Sequence, residues 1–291
     1  MSAAYRHVDV FASAPFTGNS LAVFPEGGSF SYKQMLAITQ ELRHFESIFL
    51  ASTETADTYQ ARVFDLFEEL DFAGHPILGA AAVLHEQTGS AGPRRWTFEL
   101  PRKTVEVTTE PTPSGYSAVL DQGRPQFLGE VPKEASREIA EALSLPPEAL
   151  ADLPLEAVST GLKYLIVPVV ESLSEAGIIR ADFAELIGRF GAQFAYLVDI
   201  KALEGRHWNN DGIFEDVATG SAAGCVGAYL AKHHVVPTEE EFVLHQGRFM
   251  GRPSMIRVKP QGQPNDLVNI QVGGEIAMVA VGNLDHLPEQ G

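Results

Sequence analysis

A single carboxylate interrupts one of the most apolar segments of the chain, and it is the first candidate for acid–base chemistry. Glu46 lies within the segment HFESIFLA, residues 44–51, which is typical of a buried strand. Alternation places Glu46 on the same face as Ile48 and Leu50, so we expect its side chain to be partly buried. Burial raises the pKa of a carboxyl group, and a base poised nearer neutral pH abstracts protons more effectively. The alternative is a Glu46 on an edge strand that faces water.

Two further candidates lie close to the N-termini of two predicted helices: His75 in the first turn of one, and Asp216 just before the other. The positive end of a helix dipole favours a carboxylate such as Asp216 and disfavours a charged imidazole. His75 is therefore expected to be a neutral group that donates or relays a proton. The alternatives are that Asp216 caps the helix or faces solvent beside Glu215, and that His75 is structural.

The two helices themselves, residues 74–84 and 220–231, are apolar or small on every face. A helix without a polar face is buried all round, and about 20 residues are needed to span a bilayer. Each helix is therefore expected to lie inside its own domain, wrapped by a sheet, with Thr219 or Ser221 as a possible cap of the second. The free N–H groups at both N-termini can bind an anion, and if the two helices belong to an internal repeat, both face one cleft that fits a carboxylate-bearing substrate. The alternative is that they are ordinary capped helices of the core.

The positions of these helices indicate an internal repeat. Gly74 and Gly220 are separated by almost half of the 291 residues, and at the same offset Glu69 falls on Glu215. Both halves are expected to contain strands and helices in the same order, joined by a Gly/Pro-rich linker at residues 121–134. Coincidence between two Ala/Gly-rich helices is the alternative. A true repeat implies two similar domains, and clefts between domains commonly bind small molecules.

Composition narrows the class of protein. Asp plus Glu number 38 against 21 Lys plus Arg, a net charge of −17, which disfavours binding to nucleic acid. Cys225 is the single cysteine, which excludes an internal disulfide and a thiolate zinc cluster. We expect it to be an unreactive residue of the hydrophobic core. The start of the chain has no signal-peptide pattern, and no phosphate-binding loop, GxSxG elbow or spaced metal-ligand set occurs. We therefore expect a cytoplasmic protein that binds neither membrane nor metal.

A series of short motifs over nearly the whole chain carries a family resemblance. In order they are Asp9-Val10-Phe11, Gly18-Asn19, Glu46, Phe72-Ala73-Gly74-His75-Pro76, Glu215-Asp216-Val217-Ala218-Thr219-Gly220-Ser221-Ala222, Gln246-Gly247, Met250-Gly251-Arg252-Pro253-Ser254 and Val272-Gly273-Gly274. Together they resemble the PhzF-like phenazine-biosynthesis isomerases, relatives of diaminopimelate epimerase.

The resemblance implies an α/β protein of the α+β type with two pseudo-symmetric domains. Each would be a barrel-like mixed sheet wrapped around a central buried helix, with the site between the domains. The N-terminal domain would comprise residues 1–120 with about 279–291, and the C-terminal domain residues 121–278. A homodimer is also implied.

The resemblance further implies a cofactor-independent isomerase in which Glu46 moves a proton between carbons. The other catalytic residues carried over are His75 and Asp216. The substrate-binding residues carried over are Asn19, Gly74, Gly220, Ser221 and Thr219.

The sequence also departs from the family and its relatives. Ala73 and Thr219 stand where the epimerase relatives have two cysteines, which disfavours a two-thiol racemase mechanism. Val217 replaces the usual proline, Ile77 replaces a common threonine, and residues 206–210 lack the usual aromatic-Ala-Pro. These changes are expected to line or neighbour the cleft, so a substrate other than the phenazine precursor stays open.

Three hypotheses about the function of the protein stay open. The leading hypothesis is an isomerase acting on a small, cyclic, carboxylated metabolite. The second keeps the fold but changes the reaction to C–C bond hydrolysis or epimerisation. The third is a non-catalytic binding protein, which predicts that Glu46 is fully solvated.

Overall fold

The computed structural model describes residues 2–71 and 73–290. Met1, Phe72 and Gly291 lie outside the described residues, and with them the first position of the Phe72–Pro76 motif. The chain forms two compact units: unit 1 is Met1–Asp121 with Gly273–Gly291, and unit 2 is Gln122–Val272. None of the helices in the described ranges is long and apolar enough to span a bilayer.

Unit 1 contains two α-helices and a ring of paired strands. Its elements are β1 (Ala3–Val10), β2 (Asn19–Phe24), α1 (Tyr32–Leu42), β3 (Glu46–Ser52), β4 (Thr58–Phe64), β5 (Glu69–Leu70), α2 (Gly74–Thr88), β6 (Arg94–Glu99), β7 (Thr104–Thr112), β8 (Gly115–Asp121) and the last part of β17 (Asp266–Leu284). The pairs β1–β2, β3–β4, β6–β7, β7–β8 and β17–β1 are antiparallel, whereas β2–β3 and β4–β6 are parallel. Since β17 also pairs with β8, the ring closes as a mixed β-barrel.

The helix α2 is buried along residues 74–85, as its uniformly apolar composition predicts. It packs against β1, β2, β3, β6, β7 and β8. A Cβ placed on Gly79 would lie 2.5 Å from Leu21 Cδ2, 3.0 Å from Val10 Cγ2 and 3.1 Å from Val8 Cγ2. Strands β1 and β2 therefore approach this helix as closely as a glycine allows.

The helix α1 covers the outer face of the same sheet in unit 1. It begins with a capping box in which the Ser31 hydroxyl accepts from the Gln34 backbone and the Gln34 side chain accepts from the Ser31 backbone. Its buried face joins a hydrophobic cluster with β1–β4: Ala3, Ala22, Phe24, Met35, Ile38, Phe49 and Phe64. Because β2 and β3 are covered on both faces, their sequences are nearly continuous apolar runs.

Unit 2 follows a similar plan. Its elements are β9 (Gln126–Glu130), α3 (Lys133–Ala142), β10 (Glu156–Ser159), β11 (Lys163–Val169), α4 (Phe183–Gly188), β12 (Phe194–Asp199), β13 (Glu204–Trp208), β14 (Glu215–Asp216), α5 (Gly220–Lys232), β15 (Phe242–Gln246), β16 (Ser254–Gln263) and the first part of β17. The pairs β9–β10, β10–β11, β12–β13, β13–β14 and β15–β16 are antiparallel. The pairs β11–β12 and β13–β15 are parallel.

The helix α5 is the buried helix of unit 2. All of its residues from Gly220 to Ala231 are buried except Ser221, and it packs against β10, β11, β12 and β16. A Cβ on Gly227 would overlap the side chain of Val258. The helices α3 and α4 contribute to a separate hydrophobic cluster with the strands of this unit.

Three predicted features of the local structure are wrong. The predicted linker at residues 121–134 contains β9, which pairs with β10 across a bulge. The sequence predicts separate strands near residues 267–272 and 276–281 and no strand at residues 156–159, whereas the structure has the single strand β17 over the first two segments and β10 over the third. In each case pairing with a distant strand overrides the local glycine and proline signals.

Candidate active site

Glu46 begins β3 and lies beside Leu21 in the parallel β2–β3 pair. Ile48 and Leu50, which follow on the same face, are completely buried. The Glu46 side chain is only 15% exposed, so its predicted partial burial is confirmed. The edge-strand alternative is wrong because β3 pairs with β2 on one side and with β4 on the other.

His75 is the second residue of α2 and places an imidazole next to this carboxylate. Its Nδ1 atom lies 3.4 Å from Glu46 Oε2, and the histidine is buried. The helix begins after Ala73, which cannot cap it with a side chain. The free N–H groups of a first turn carry the positive end of the helix dipole. The imidazole that lies beside the Glu46 carboxylate belongs to this first turn.

Asn19 is also a buried residue of unit 1, at the start of β2 opposite Val10. The preceding Gly18 has φ +64°, and a Cβ there would overlap the carbonyl oxygen of Val10. Glycine is thus required for the turn that delivers Asn19 to the strand. The Phe16 N–H donates to Asp9 Oδ2 at 2.7 Å, which ties the loop before Asn19 to β1.

Asp216 ends β14 and is held by the loop that leads into α5 in unit 2. Its Oδ1 accepts from the Ala218 N–H at 3.3 Å, and its Oδ2 accepts from the Thr219 hydroxyl at 2.7 Å. Thr219 occupies the N-cap position of α5 but does not cap the helix with its side chain. The predicted capping by Thr219 is therefore wrong, because its hydroxyl is directed to the Asp216 carboxylate instead.

Gln246, on β15, fixes this loop from the side. Its amide nitrogen donates to the Asp216 carbonyl at 2.8 Å and to Thr219 Oγ1 at 3.0 Å. Its amide oxygen accepts from the Thr219 N–H at 3.0 Å and from the Tyr196 hydroxyl at 2.9 Å. Burial raises the pKa of Tyr196 well above its ordinary value, so this hydroxyl keeps its proton and acts as a donor.

The first turn of α5 is held by a second set of side chains. The Ser221 hydroxyl is half-buried and lies 2.8 Å from the hydroxyl of Tyr164. The Gly220 carbonyl accepts from the Gln122 amide at 2.8 Å, and Gln122 accepts in turn from the Thr160 hydroxyl at 2.6 Å. These contacts fix the N-terminus of the helix where an anion would bind.

His207 lies opposite Asp216 in the β13–β14 pair. Its Nδ1 is 2.8 Å from the Ala195 carbonyl oxygen, which can only accept, so Nδ1 carries the proton. Burial lowers the pKa of His207 although Asp216 acts in the opposite direction. The imidazole is therefore neutral.

The predicted residues are divided between the two units, and direct contacts join Glu46 to His75 in one and Asp216 to Thr219 in the other. Glu46, His75, Gly74 and Asn19 belong to unit 1, whereas Asp216, Thr219, Gly220 and Ser221 belong to unit 2. Cys225 is buried in α5, and burial raises the pKa of its thiol to about 11. No group of three or more His, Cys, Asp and Glu side chains suited to a metal ion occurs among residues 2–71 and 73–290.

Sequence reasoning missed four polar residues around Asp216 and α5: Tyr164, Gln246, His207 and Gln122. Gln246 carried a signal as part of the Gln246-Gly247 motif, and His207 lies in the stretch that departs from the family. Tyr164 and Gln122 carried none, because a tyrosine in an apolar strand and a glutamine after a strand are common in any sheet.

Comparison with known proteins assigns the family. The chain matches the family of phenazine biosynthesis-like proteins (PhzC-PhzF) over residues 8–282. It is 31% identical over 279 residues to the uncharacterised isomerase YddE of Escherichia coli O157:H7, covering 92% of this chain and 93% of that protein. It is 30% identical over 293 residues to trans-2,3-dihydro-3-hydroxyanthranilate isomerase of Pseudomonas aeruginosa, covering 96% and 98%.

A solved structure agrees with this assignment. The structure of a predicted epimerase from Pseudomonas aeruginosa superposes with a TM-score of 0.91 at 44% identity, covering 98% of this chain and 99% of the other. The family match over residues 8–282 includes residues of both units and every motif that carries a candidate side chain. The chain belongs to the phenazine biosynthesis-like (PhzC-PhzF) family and is an isomerase of the PhzF type.

Proposed function

We propose that this isomerase moves a proton between two carbons of a small, cyclic, carboxylated metabolite, with Glu46 as the proton carrier and no cofactor. The observation that carries the proposal is the Glu46 carboxylate itself, 15% exposed and 3.4 Å from His75 Nδ1. A carboxylate shielded from water and held next to an imidazole is an arrangement suited to general acid–base catalysis. A binding protein would have no use for such a group, and the full solvation expected of Glu46 in that case is contradicted.

The proposed reaction has two steps. The Glu46 carboxylate removes a proton from a substrate carbon, and the electron pair of the C–H bond enters the conjugated system of the substrate. The Glu46 carboxyl then returns the proton to a different carbon of that system, so the atoms of substrate and product are the same. His75 holds Glu46 and polarises the substrate during both steps.

Asp216, Ser221 and Thr219 are proposed to bind and orient the substrate, together with Asn19 and the N-terminal amides at Gly74 and Gly220. The Ser221 hydroxyl and the first N–H groups of α5 suit a carboxylate. The Asp216 carboxylate suits a hydroxyl or amino group that donates a hydrogen bond. This combination describes a substrate with one carboxylate and at least one donor group.

The proposal includes the arrangement of the domains. Units 1 and 2 each place two parallel pairs at matching points, β2–β3 and β4–β6 in one and β11–β12 and β13–β15 in the other. In each unit a two-residue strand, β5 or β14, precedes the buried helix. We infer two pseudo-symmetric, epimerase-like domains, each built around its own buried helix.

Epimerisation by two thiols is disfavoured by the residues at the helix starts. Ala73 and Thr219 occupy the N-cap positions of α2 and α5, and neither can exchange a proton with carbon as a thiolate does. The single cysteine, Cys225, is buried in the body of α5. One carboxylate that both removes and returns the proton fits these residues better.

The proposal is tested with Glu46→Gln and with trans-2,3-dihydro-3-hydroxyanthranilate as the first probe. Positioned acid–base catalysis contributes about 10²–10⁴-fold, equivalent to about 3–5.5 kcal/mol, so the variant should turn over at least about a hundredfold more slowly. Glu99→Gln is the matched control because Glu99 is an exposed glutamate on a strand of the same unit. An active Glu46→Gln enzyme would refute the role of this carboxylate.

Product analysis by NMR in D₂O distinguishes the competing reactions. Isomerisation gives one product with the atoms of the substrate, with or without deuterium at the new C–H position, whereas C–C hydrolysis gives two products. If the wild-type protein leaves this probe unchanged, the substrate assignment is wrong even where Glu46 is essential for another carboxylated ring. The homodimer and the cytoplasmic location expected above stay predictions.

A further inference from the structure

Glu215, the residue directly before Asp216, forms an almost completely buried ion pair with Arg206. Arg206 Nε donates to Glu215 Oε1 at 2.9 Å, and Nη2 donates to Oε2 at 2.6 Å. The two side chains are 9% and 7% exposed. Two parallel hydrogen bonds between planar groups fix orientation as well as distance.

The remaining nitrogen of Arg206 ties this pair to a separate segment of unit 2. Nη1 donates to the carbonyl oxygens of Leu173 at 2.8 Å, Ser174 at 3.2 Å and Ala176 at 3.1 Å. A guanidinium can satisfy several acceptors at once because its donors radiate in one plane. Arg206 therefore fixes Glu215 against the turn at residues 173–176.

Two aromatic rings fix the plane of the guanidinium. The Trp208 ring lies 4.5 Å and the Phe249 ring 4.4 Å from Arg206 Cζ. Trp208 and Leu173 belong to the hydrophobic cluster of unit 2, and Phe249 packs against it. The ion pair is thus anchored in the core of the unit and has little freedom to rotate.

The strand register connects this anchor to Asp216. In the β13–β14 pair Trp208 lies opposite Glu215 and His207 lies opposite Asp216. Successive side chains of a strand point to opposite faces, so Glu215 shares a face with Trp208 and Arg206, whereas Asp216 shares the other with His207. Strand β14 consists of these two residues alone, and fixing Glu215 therefore fixes the direction of Asp216.

We propose that the Arg206–Glu215 ion pair positions the Asp216 carboxylate. The pair holds one face of β14 against the core and thereby directs Asp216 and its acceptor oxygens to the opposite face. The effect on turnover rests on the proposed function of Asp216, but the positioning itself is a property of unit 2 and can be measured without a substrate.

A purely structural ion pair is the competing explanation, and the two explanations differ in the effect of an apolar replacement. Losing one partner of a buried pair is strongly destabilising, whereas replacing both by apolar residues of similar volume is often neutral or stabilising. The double variant Arg206→Met/Glu215→Leu should therefore recover the thermal stability that either single variant loses. If stability is the only role, it should recover turnover as well.

The experiment measures stability, the Ala218 amide and turnover in the two single variants and the double variant. The Ala218 N–H donates to Asp216 Oδ1, so its NMR chemical shift reports the carboxylate, with Asp216→Asn as the reference for its loss. In the double variant we expect a Tm close to that of the wild type, an Ala218 shift moved toward the Asp216→Asn value, and kcat at least tenfold lower.

The matched control is Arg248→Met/Glu204→Leu, which removes another two-point ion pair of the same unit. That pair has distances of 2.8 and 2.7 Å, and its arginine is exposed. The Ala218 shift should stay at its wild-type position in this control. If Arg206→Met/Glu215→Leu does not fold, Glu215→Gln keeps the shape of the side chain and the same amide shift decides.

A folded double or Glu215→Gln variant with the wild-type Ala218 shift would overturn the proposal. A displaced shift supports positioning even if the wild type does not act on trans-2,3-dihydro-3-hydroxyanthranilate, in which case only the proposed substrate fails. A displaced shift with wild-type kcat on a substrate that is turned over would overturn the claim that Asp216 must be positioned for turnover.

Discussion

Replacement of Gly79 by valine tests how tightly the strands of unit 1 enclose α2. A Cβ at this position would lie 2.5 Å from Leu21 Cδ2, 3.0 Å from Val10 Cγ2 and 3.1 Å from Val8 Cγ2. All three neighbours are completely buried, so none can move aside into solvent. Valine would also add two methyl groups beyond that Cβ.

The expected magnitude follows from two opposing effects. Overpacking a filled core costs about 1–3 kcal/mol, and a whole valine side chain placed where none fits belongs at the upper end, about 3 kcal/mol. Removing a glycine from the helix interior returns less than about 1 kcal/mol. The free energy of unfolding should therefore fall by more than about 2 kcal/mol.

The assay is urea unfolding followed by the fluorescence of Trp96, which is buried in β6 of the same unit. A Trp208→Phe background removes the signal of the other unit. Gly92→Val is the matched control, because a Cβ on Gly92 meets nothing within 4 Å, and it should change stability by less than about 0.5 kcal/mol. Equal unfolding midpoints for Gly79→Val and its parent would refute the close enclosure of α2.

Two further predictions concern buried titratable groups. Because burial raises the pKa of the Cys225 thiol to about 11, a thiol reagent at pH 8 should label the native protein only as fast as it unfolds; rapid native labelling would contradict this. Burial lowers the pKa of His85, whose Nε2 donates to the Ser90 carbonyl and whose Nδ1 accepts from Thr109. Below about pH 6.5 the unfolded state then binds more protons than the native state. As the pH is lowered from there toward the native pKa, the free energy of unfolding should therefore decrease. His85→Gln, which can keep both hydrogen bonds, should show a weaker loss of urea midpoint between pH 7.5 and 5.5, and an unchanged pH dependence would refute the assignment.

The buried helices show how much a local pattern can predict. The uniformly apolar segments at residues 74–84 and 220–231 predict buried helices, and the structure has helices at Gly74–Thr88 and Gly220–Lys232. Gly89 ends the first helix in the left-handed conformation, which is a local signal. Burial on every side follows from composition alone, since no polar face is available to meet water.

Short strands could not be predicted in the same way. Strands β5 and β14 contain two residues each, too few for any alternation to be recognised. Strand β9 lies in a segment rich in glycine and proline and exists because β10 pairs with it. Their positions depend on partners that are distant in the sequence.

The chemical groups could be predicted from the sequence: a carboxylate in an apolar strand, a histidine in the first turn of one buried helix, an aspartate just before the other, and motifs that indicate the family. The way in which each group is held could be seen only once the chain was folded. The contact of Glu46 with His75, the bridge from Gln246 to Asp216 and Thr219, and the Arg206–Glu215 pair all join separate elements. Such contacts depend on strand register and helix placement, which no local run of residues specifies, because they are set by which distant segments pack together.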